Sequence, residues 1–202
     1  MCHPADSFTK PDVADVEQLL RQYDALLIHF SGPEGDELRS ERQFPNDLLN
    51  AIDNPKMELS CCVVRATDHF DTHSWGCIGL VLRLKNDKSL IAADRHDCGS
   101  REEKDDKGDI RRMVDPRHLK DLSLGDLEVT ITERTGHNEW VVKDYNVLGI
   151  FVHPPGTAGD RRYRPSEVRE LFPGQRIFGF QKGSIIECNS GVQPISHSQI
   201  YA

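Results

Sequence analysis

Two places in the sequence set a reactive side chain at the end of an apolar run. The first is "LLIHFSGPEG", Leu26 to Gly35, where a strand-like run gives way to His29, Ser31 and Gly32 with nothing further to bury for several positions. The second is "TGHNEWVV", where a turn delivers Glu139 at the mouth of another apolar run. Strand alternation puts Glu139 and Val141 on one face and Trp140 and Val142 on the other, so the carboxylate can project into a cleft from a rigid support. An imidazole on a fixed strand can hydrogen-bond hydroxyl groups, and a carboxylate stabilises positive charge that develops beside it. Read blandly, His29 marks a chain leaving the core through a turn, and Glu139 is a solvated strand-end carboxylate.

Other residues compete for the chemistry. Cys61, Cys62, His69, His73 and Cys77 crowd one stretch, "SCCVVRATDHFDTHSWGC", and thiolate plus imidazole are zinc's preferred ligands. Only His69 and His73 have the close pairing that a structural zinc site shows twice over, and cysteines in apolar strands pack as small hydrophobes, so no metal is expected. A cysteine nucleophile would need Cys61, Cys62 or Cys77 beside a histidine such as His96 or His118, because the imidazole lowers the cost of forming the thiolate. The charged run from Cys98 to Arg112 reads as a mobile surface loop with the potential of a lid, and Arg161, Arg162 and Arg164 could hold a phosphate or an acidic partner.

The elements that must position these groups follow from periodicity and turn chemistry. Val13, Val16, Leu19 and Leu20 recur at helical spacing behind Asp12, which predicts a capped first helix. "ALLIHF" is the first strand, "FPNDLLNAIDNP" a short helix between Pro45 and Pro55, and "MELSCCVVR" a buried strand. "GCIGLVLRL" and "SLIAAD" read as two strands joined at "KND", "PRHLKDL" as a helical turn, and "DLEVTITER" as a half-exposed strand by its alternation. "NEWVV" and "NVLGIFV" are further strands, "PSEVRELFPG" a short helix capped by Ser166, and "QRIFGFQKGSIIEC" a hairpin turning at "KG". The sum is an α+β fold with a strand-rich core of about seven or eight strands, in one or two packed sheets, with a few short helices. A chain of 202 residues suits a single domain: an N-terminal helix over 1–25, a core over 26–155, and a C-terminal helix and hairpin over 156–202 packed on it.

Composition narrows the partners. The chain is 37% apolar and 29% charged, carries a net charge of −8, and has no apolar run long enough to span a membrane. The acidic balance gives no overall attraction for phosphate backbones. No glycine-rich phosphate loop opens a helix after a strand, which argues against Rossmann and P-loop chemistry. The N-terminus lacks a signal-peptide pattern and the six cysteines are irregularly spaced, so a cytoplasmic protein with free thiols is expected.

Taken in order, "LIHFSG" on an early strand, the serine-bearing strand "ELSCCVV", the strand "GCIGLVL" and then "GHNEWVVKDYNVLGIFV" resemble the ADP-ribosyltransferase superfamily, especially its compact bacterial toxin and phage-defence members. In that family a His or Arg on the first core strand holds the adenosine side of NAD, a middle-strand motif supports the site, and a late glutamate precedes an apolar strand. The resemblance covers roughly Leu26 to Pro155. It implies His29 at the first position, Ser60 at the serine that opens the middle motif, and Glu139 at the third, although "SCC" does not meet the family's Ser-x-Ser/Thr pattern. It further implies NAD as substrate, Glu139 as the catalytic carboxylate, and His29, Ser31, Gly32 and Ser60 as NAD-binding residues. Trp75 and Tyr145 are the aromatic residues available to stack on the cationic nicotinamide. The acceptor would be a protein or nucleic acid, and a cognate inhibitor protein a further partner. The reading expects folding to bring His29 and Glu139 to opposite walls of one sugar-sized hollow. Two readings from other classes stand beside it: a non-catalytic immunity or regulatory module, and a Cys-His hydrolase or deamidase.

Overall fold

The structure, a computed structural model, describes residues 11–31, 44–68, 78–96, 102–104, 110–113, 117–133, 138–152, 164–189 and 191–201. Helix α1 (Val13–Gln22) begins where Asp12 caps it: Asp12 Oδ1 accepts from Asp15 N–H at 2.8 Å, and Asp15 Oδ2 accepts in return from Asp12 N–H at 3.3 Å. Its apolar stripe buries Val16, Leu19 and Leu20. Asp24, at φ 47°, turns the chain into β1 (Ala25–Phe30). Then come α2 (Asn46–Asp53), β2 (Leu59–Arg65), β3 (Ile78–Leu84) and β4 (Leu90–Asp94).

Strands β5 (Glu102–Lys104) and β6 (Ile110–Met113) pair with each other as a separate antiparallel ribbon. This corrects the expectation of a wholly irregular loop from Cys98 to Arg112: a two-stranded ladder satisfies backbone groups without needing apolar residues, so composition alone did not exclude it. Strand β7 (Arg117–His118) leads into a 3₁₀ turn at Leu119–Asp121.

Helix α3 (Leu124–Thr132) occupies the segment whose alternation reads as a strand. A reciprocal cap decides it: Ser123 Oγ accepts from Asp126 N–H at 3.2 Å, and Asp126 Oδ2 accepts from Ser123 N–H at 2.9 Å. Leu127 and Ile131, four apart, and Thr130 then share the buried side, so tertiary burial overrides the weak helix propensity of Val129, Thr130, Ile131 and Thr132.

Strands β8 (Glu139–Val142) and β9 (Tyr145–Val152) follow, then α4 (Pro165–Leu171), the hairpin β10 (Ile177–Gln181) and β11 (Ser184–Glu187), β12 (Gln193–Pro194) and α5 (His197–Ile200). The hairpin turns at Lys182 and Gly183 with φ of 50° and 76°, the two positive values that a type I′ turn requires. Helix α4 starts one residue before Ser166, with proline in its first turn, and Glu167 Oε2 accepts from Arg164 N–H at 3.1 Å, so Ser166 is not the cap.

The fold is α+β. Among the described residues ten strands form one mixed sheet in the order β12, β11, β10, β9, β3, β1, β2, β8, β4, β7, antiparallel except where β10 runs parallel to β9. The count exceeds the expected seven or eight because β7 and β12 are two-residue pairings too short to mark the sequence. One face packs Leu27, Val63, Leu80 and Leu82 against Leu19 of α1, Leu48 of α2, Leu127 of α3 and Val168 of α4. The other packs Leu26, Ile28, Val64, Val81, Phe151 and Phe178 against Ile200 of α5. Covering both faces explains why "ALLI" is buried at every residue and not at alternate ones.

Candidate functional site

The site lies where the ladder between β1 and β2 ends. Strands β1 and β2 pair from Ala25↔Arg65 to Ile28↔Cys62, and there their ladder stops. Beyond that point β1 stays with β3 through Phe30↔Gly79, while β2 stays with β8 through Leu59↔Val142. The registered pairing of β1 with β2 therefore ends at a junction, here termed the notch, with His29 on one side and Ser60 on the other.

An imidazole binds the Ser60 carbonyl beside the end of the ladder. Asp24 O accepts from Ala66 N–H at 3.1 Å, which makes every second pair along β1 and β2 a hydrogen-bonded one, Phe30 opposite Ser60 included. The carbonyl of Ser60 accepts from His29 Nδ1 at 2.7 Å. A carbonyl can only accept, so the proton sits on Nδ1 and Nε2 is left as a lone-pair acceptor. Burial holds the His29 pKa below its ordinary value, against the opposing pull of the Ser60 carbonyl and the Asp47 carboxylate, so the ring is neutral at pH 7.

Ser60 also joins the carboxylate. Its Oγ donates to Glu139 Oε1 at 2.9 Å, from β2 to the neighbouring strand β8. One residue thus links both groups, its main chain to His29 and its side chain to Glu139. Their placement differs from a shared hollow on a single face. His29 lies between Ile28 and Phe30, which pack on the α5 side, and opposite Leu80, which packs on the α1 side. Ser60 lies between Leu59 and Cys61, and Glu139 beside Trp140, all three of these neighbours belonging to the α1 side. The pleat therefore sends His29 to one face and the Ser60 and Glu139 side chains to the other. The expectation of two groups facing one hollow is corrected to two groups on either side of one notch.

Glu139 owes its position to a residue that sequence reasoning passed over as turn punctuation. Asn138 is 1% exposed and imitates a backbone partner: its Oδ1 accepts from Val63 N–H at 2.8 Å, and its Nδ2 donates to Val63 O at 3.0 Å and to Thr130 O at 2.9 Å. Next along β8, Trp140 Nε1 donates to Thr130 Oγ1 at 2.8 Å with its ring fully buried. Glu139 is thus held between two side chains anchored to α3. Across β8 it pairs with Asp94 of β4, a second carboxylate on the same face.

On the helix side of the notch, Ser31 is 4% exposed; its N–H donates to Ile78 O at 3.0 Å and its Oγ to Asp47 Oδ1 at 3.0 Å. Asp47 stands in the first turn of α2 and was hidden in the sequence as an ordinary polar residue of "FPNDLL". Close approach of β3 to β1 depends on Gly79, where a Cβ would sit 2.6 Å from His29 O and 2.8 Å from Ile28 Cγ2.

Tyr145 is no ligand-stacking residue, which corrects the sequence reading. Its ring is fully buried, and its hydroxyl donates to Ala51 O at 3.0 Å and Asn54 O at 3.3 Å, tying β9 to the end of α2. Burial pushes its pKa up to about 12. Gly32, Trp75, His69, His73, Cys77, Arg161 and Arg162 lie outside the described residues. Cys61 is 1% exposed, and burial, then Cys62 and Glu139, push its thiol well above its usual range, which makes it a poor nucleophile. Cys61, Cys62 and Cys188 are free thiols. Among the described residues no group of three or more His, Cys, Asp or Glu side chains is arranged to hold a metal ion, and no helix is long and apolar enough to cross a membrane.

No protein-family model matches the chain, and a search of curated proteins finds no match.

Proposed function

We propose that the protein is an NAD-dependent ADP-ribosyltransferase-like enzyme that releases nicotinamide and transfers ADP-ribose to a macromolecular acceptor. The observation that carries this reading is the Ser60 bridge: a histidine on the first strand and a glutamate from over a hundred residues later are held by one serine where the β1–β2 ladder ends. The adjacency of β1, β2 and β8 supports it, because those strands bear the three positions in which the sequence resembles the family.

The dinucleotide lies across the notch, its adenosine ribose on the His29 side and its nicotinamide ribose against Glu139. In the reaction the bond between C1′ and the nicotinamide nitrogen breaks, its electron pair leaves with nicotinamide, and positive charge spreads over C1′ and the ring oxygen. The Glu139 carboxylate stabilises that charge as it develops, and the Ser60 hydroxyl fixes the carboxylate's orientation beforehand. The acceptor's nucleophile then attacks C1′ and gives up its proton. Nicotinamide leaves as a neutral base, so no second carboxyl is needed to protonate it.

The test is nicotinamide release from NAD, measured chromatographically. Wild type releases nicotinamide; Glu139→Gln keeps the hydrogen bond from Ser60 and the fold but loses the charge, and release falls by about 10²–10³-fold. A folded wild-type protein that neither binds nor consumes NAD, or a Glu139→Gln variant with the full rate, refutes the reading.

A further inference from the structure

The structure assigns Thr130 of α3 as the positioning residue that sets the direction of Glu139 for nicotinamide release, acting from the opposite face of the sheet through Asn138 and Trp140. This inference rests on the proposed NAD chemistry and deepens it.

Thr130 is 1% exposed and fastens both neighbours of Glu139. Its Oγ1 donates to Leu127 O at 2.7 Å, one turn back in α3, and accepts from Trp140 Nε1 at 2.8 Å. The first bond fixes the hydroxyl proton and so aims a lone pair at the indole. Its main-chain oxygen accepts from Asn138 Nδ2 at 2.9 Å. Glu133 N–H closes the last turn of α3 on Val129 O at 2.9 Å, and the next carbonyl, that of Thr130, is one of the terminal ones that need a partner from outside the helix. Asn138 is that partner. Asn138 and Trp140 are thus both drawn to the α3 side, and in an extended chain this sends the residue between them to the other face. There Ser60 Oγ meets the Glu139 carboxylate at 2.9 Å. Ser60 fixes the tip of the side chain, and Thr130 fixes the backbone from which it projects. Valine in place of Thr130 keeps the branched shape and the main-chain carbonyl, but leaves the fully buried Trp140 N–H without its acceptor, a cost that a shift of β8 relieves. Misplacing a reacting group by about 1 Å costs about 10²-fold in rate.

The experiment measures kcat and KM for nicotinamide release from NAD by the full chain as wild type, Thr130→Val and Thr130→Ser, with circular dichroism to check the fold. The expected result is that Thr130→Val lowers kcat by about tenfold or more and leaves KM within about threefold, and that Thr130→Ser, which restores the hydroxyl, returns kcat to within about threefold of wild type. In a Glu139→Gln background Thr130→Val changes the residual rate by less than about twofold, because a residue that acts through the carboxylate has nothing left to act on. A merely structural role lowers the rate in both backgrounds. Full kcat in a folded Thr130→Val protein, a loss confined to KM, failure of serine to restore the rate, or an equal loss with and without the Glu139 carboxylate overturns the role of Thr130 and leaves the enzyme reading standing, since wild type still releases nicotinamide. No release by wild type overturns both. If Thr130→Val does not fold, Trp140→Phe, which keeps an aromatic ring and removes the N–H, is put through the same comparison with and without Glu139→Gln and decides.

Discussion

Replacing Asn138 with aspartate exchanges one nitrogen for oxygen, removes its two protons, and should cost a large part of the protein's stability. The asparagine amide donates to two buried carbonyls, Val63 O at 3.0 Å and Thr130 O at 2.9 Å, while its oxygen accepts from Val63 N–H at 2.8 Å. Aspartate keeps the last of these and abolishes the other two. Each carbonyl deprived of its donor in a site that is 1% exposed costs about 1–3 kcal/mol, so the pair costs about 2–6 kcal/mol before any charge is considered. At neutral pH the new carboxylate also faces two carbonyl oxygens, which adds repulsion or forces it to take up a proton. Against a net stability of about 5–15 kcal/mol for a domain, that is a large fraction. Urea unfolding followed by circular dichroism reads the effect as a lower midpoint with an unchanged slope. The loss should shrink as the pH is lowered and the carboxyl regains a proton to donate. A loss below about 1 kcal/mol refutes the buried bonding of Asn138, and with it the account of how β8 presents Glu139.

Two other perturbations test the packing around the site. Gly79→Ala sets a methyl group 2.6 Å from the His29 carbonyl, so β1 or β3 must shift; the expected cost is about 1–3 kcal/mol in urea unfolding together with weakened NAD binding, and a neutral substitution contradicts the close approach. His197 is 4% exposed, stacks on Tyr201 at 4.2 Å between ring centroids, and binds Ala25 O through Nε2 at 3.0 Å, with no hydrogen-bond partner on Nδ1 among the described residues. Burial pushes its pKa down to about 4 from an ordinary 6.5; the Ala25 carbonyl and Glu17 oppose that shift and Arg21 adds to it. The unfolded chain therefore takes up this proton first. The stabilisation is complete above about pH 6.5, declines as the pH falls towards 4, and changes no further below that. His197→Phe retains a ring against Tyr201 and should flatten this part of the pH–stability curve relative to wild type; an unchanged difference between pH 7 and pH 4.5 contradicts the assignment.

What could be read from the sequence was local. Asp12 before Val16, Leu19 and Leu20 marks a capped amphipathic helix because its signals lie within a few residues, and "KG" between two apolar runs marks a type I′ hairpin for the same reason. Ser123 and Asp126 form an equally local cap, but the alternation of Leu127, Val129 and Ile131 masked it, because a β-branched run satisfies the strand period while Leu127 and Ile131 also satisfy the helical one. Strand partners were beyond reach. Strands β3 and β4 adjoin in sequence, yet β3 pairs with β1 and β9, and β4 with β8 and β7, through contacts whose spacing no local pattern records. The candidate site divides the same way. His29 and Glu139 stood out because each ends an apolar run. Asn138 looked like a turn residue and Asp47 like a solvated helix residue until the fold set them beside Val63 and Ser31, and Tyr145 looked available until its ring proved to be core.

In the proposed dinucleotide site at the end of the β1–β2 ladder, His29 serves as a neutral acceptor. The most direct measurement is ¹⁵N NMR of the histidine side chains in the Glu139→Gln protein during titration with NAD, with His29 assigned by its absence from a His29→Gln spectrum. The account predicts a neutral ring protonated at Nδ1 in the free protein and a saturable shift of its Nε2 resonance as NAD binds. A ring protonated at Nε2, or an Nε2 signal that stays still at saturating NAD, contradicts it.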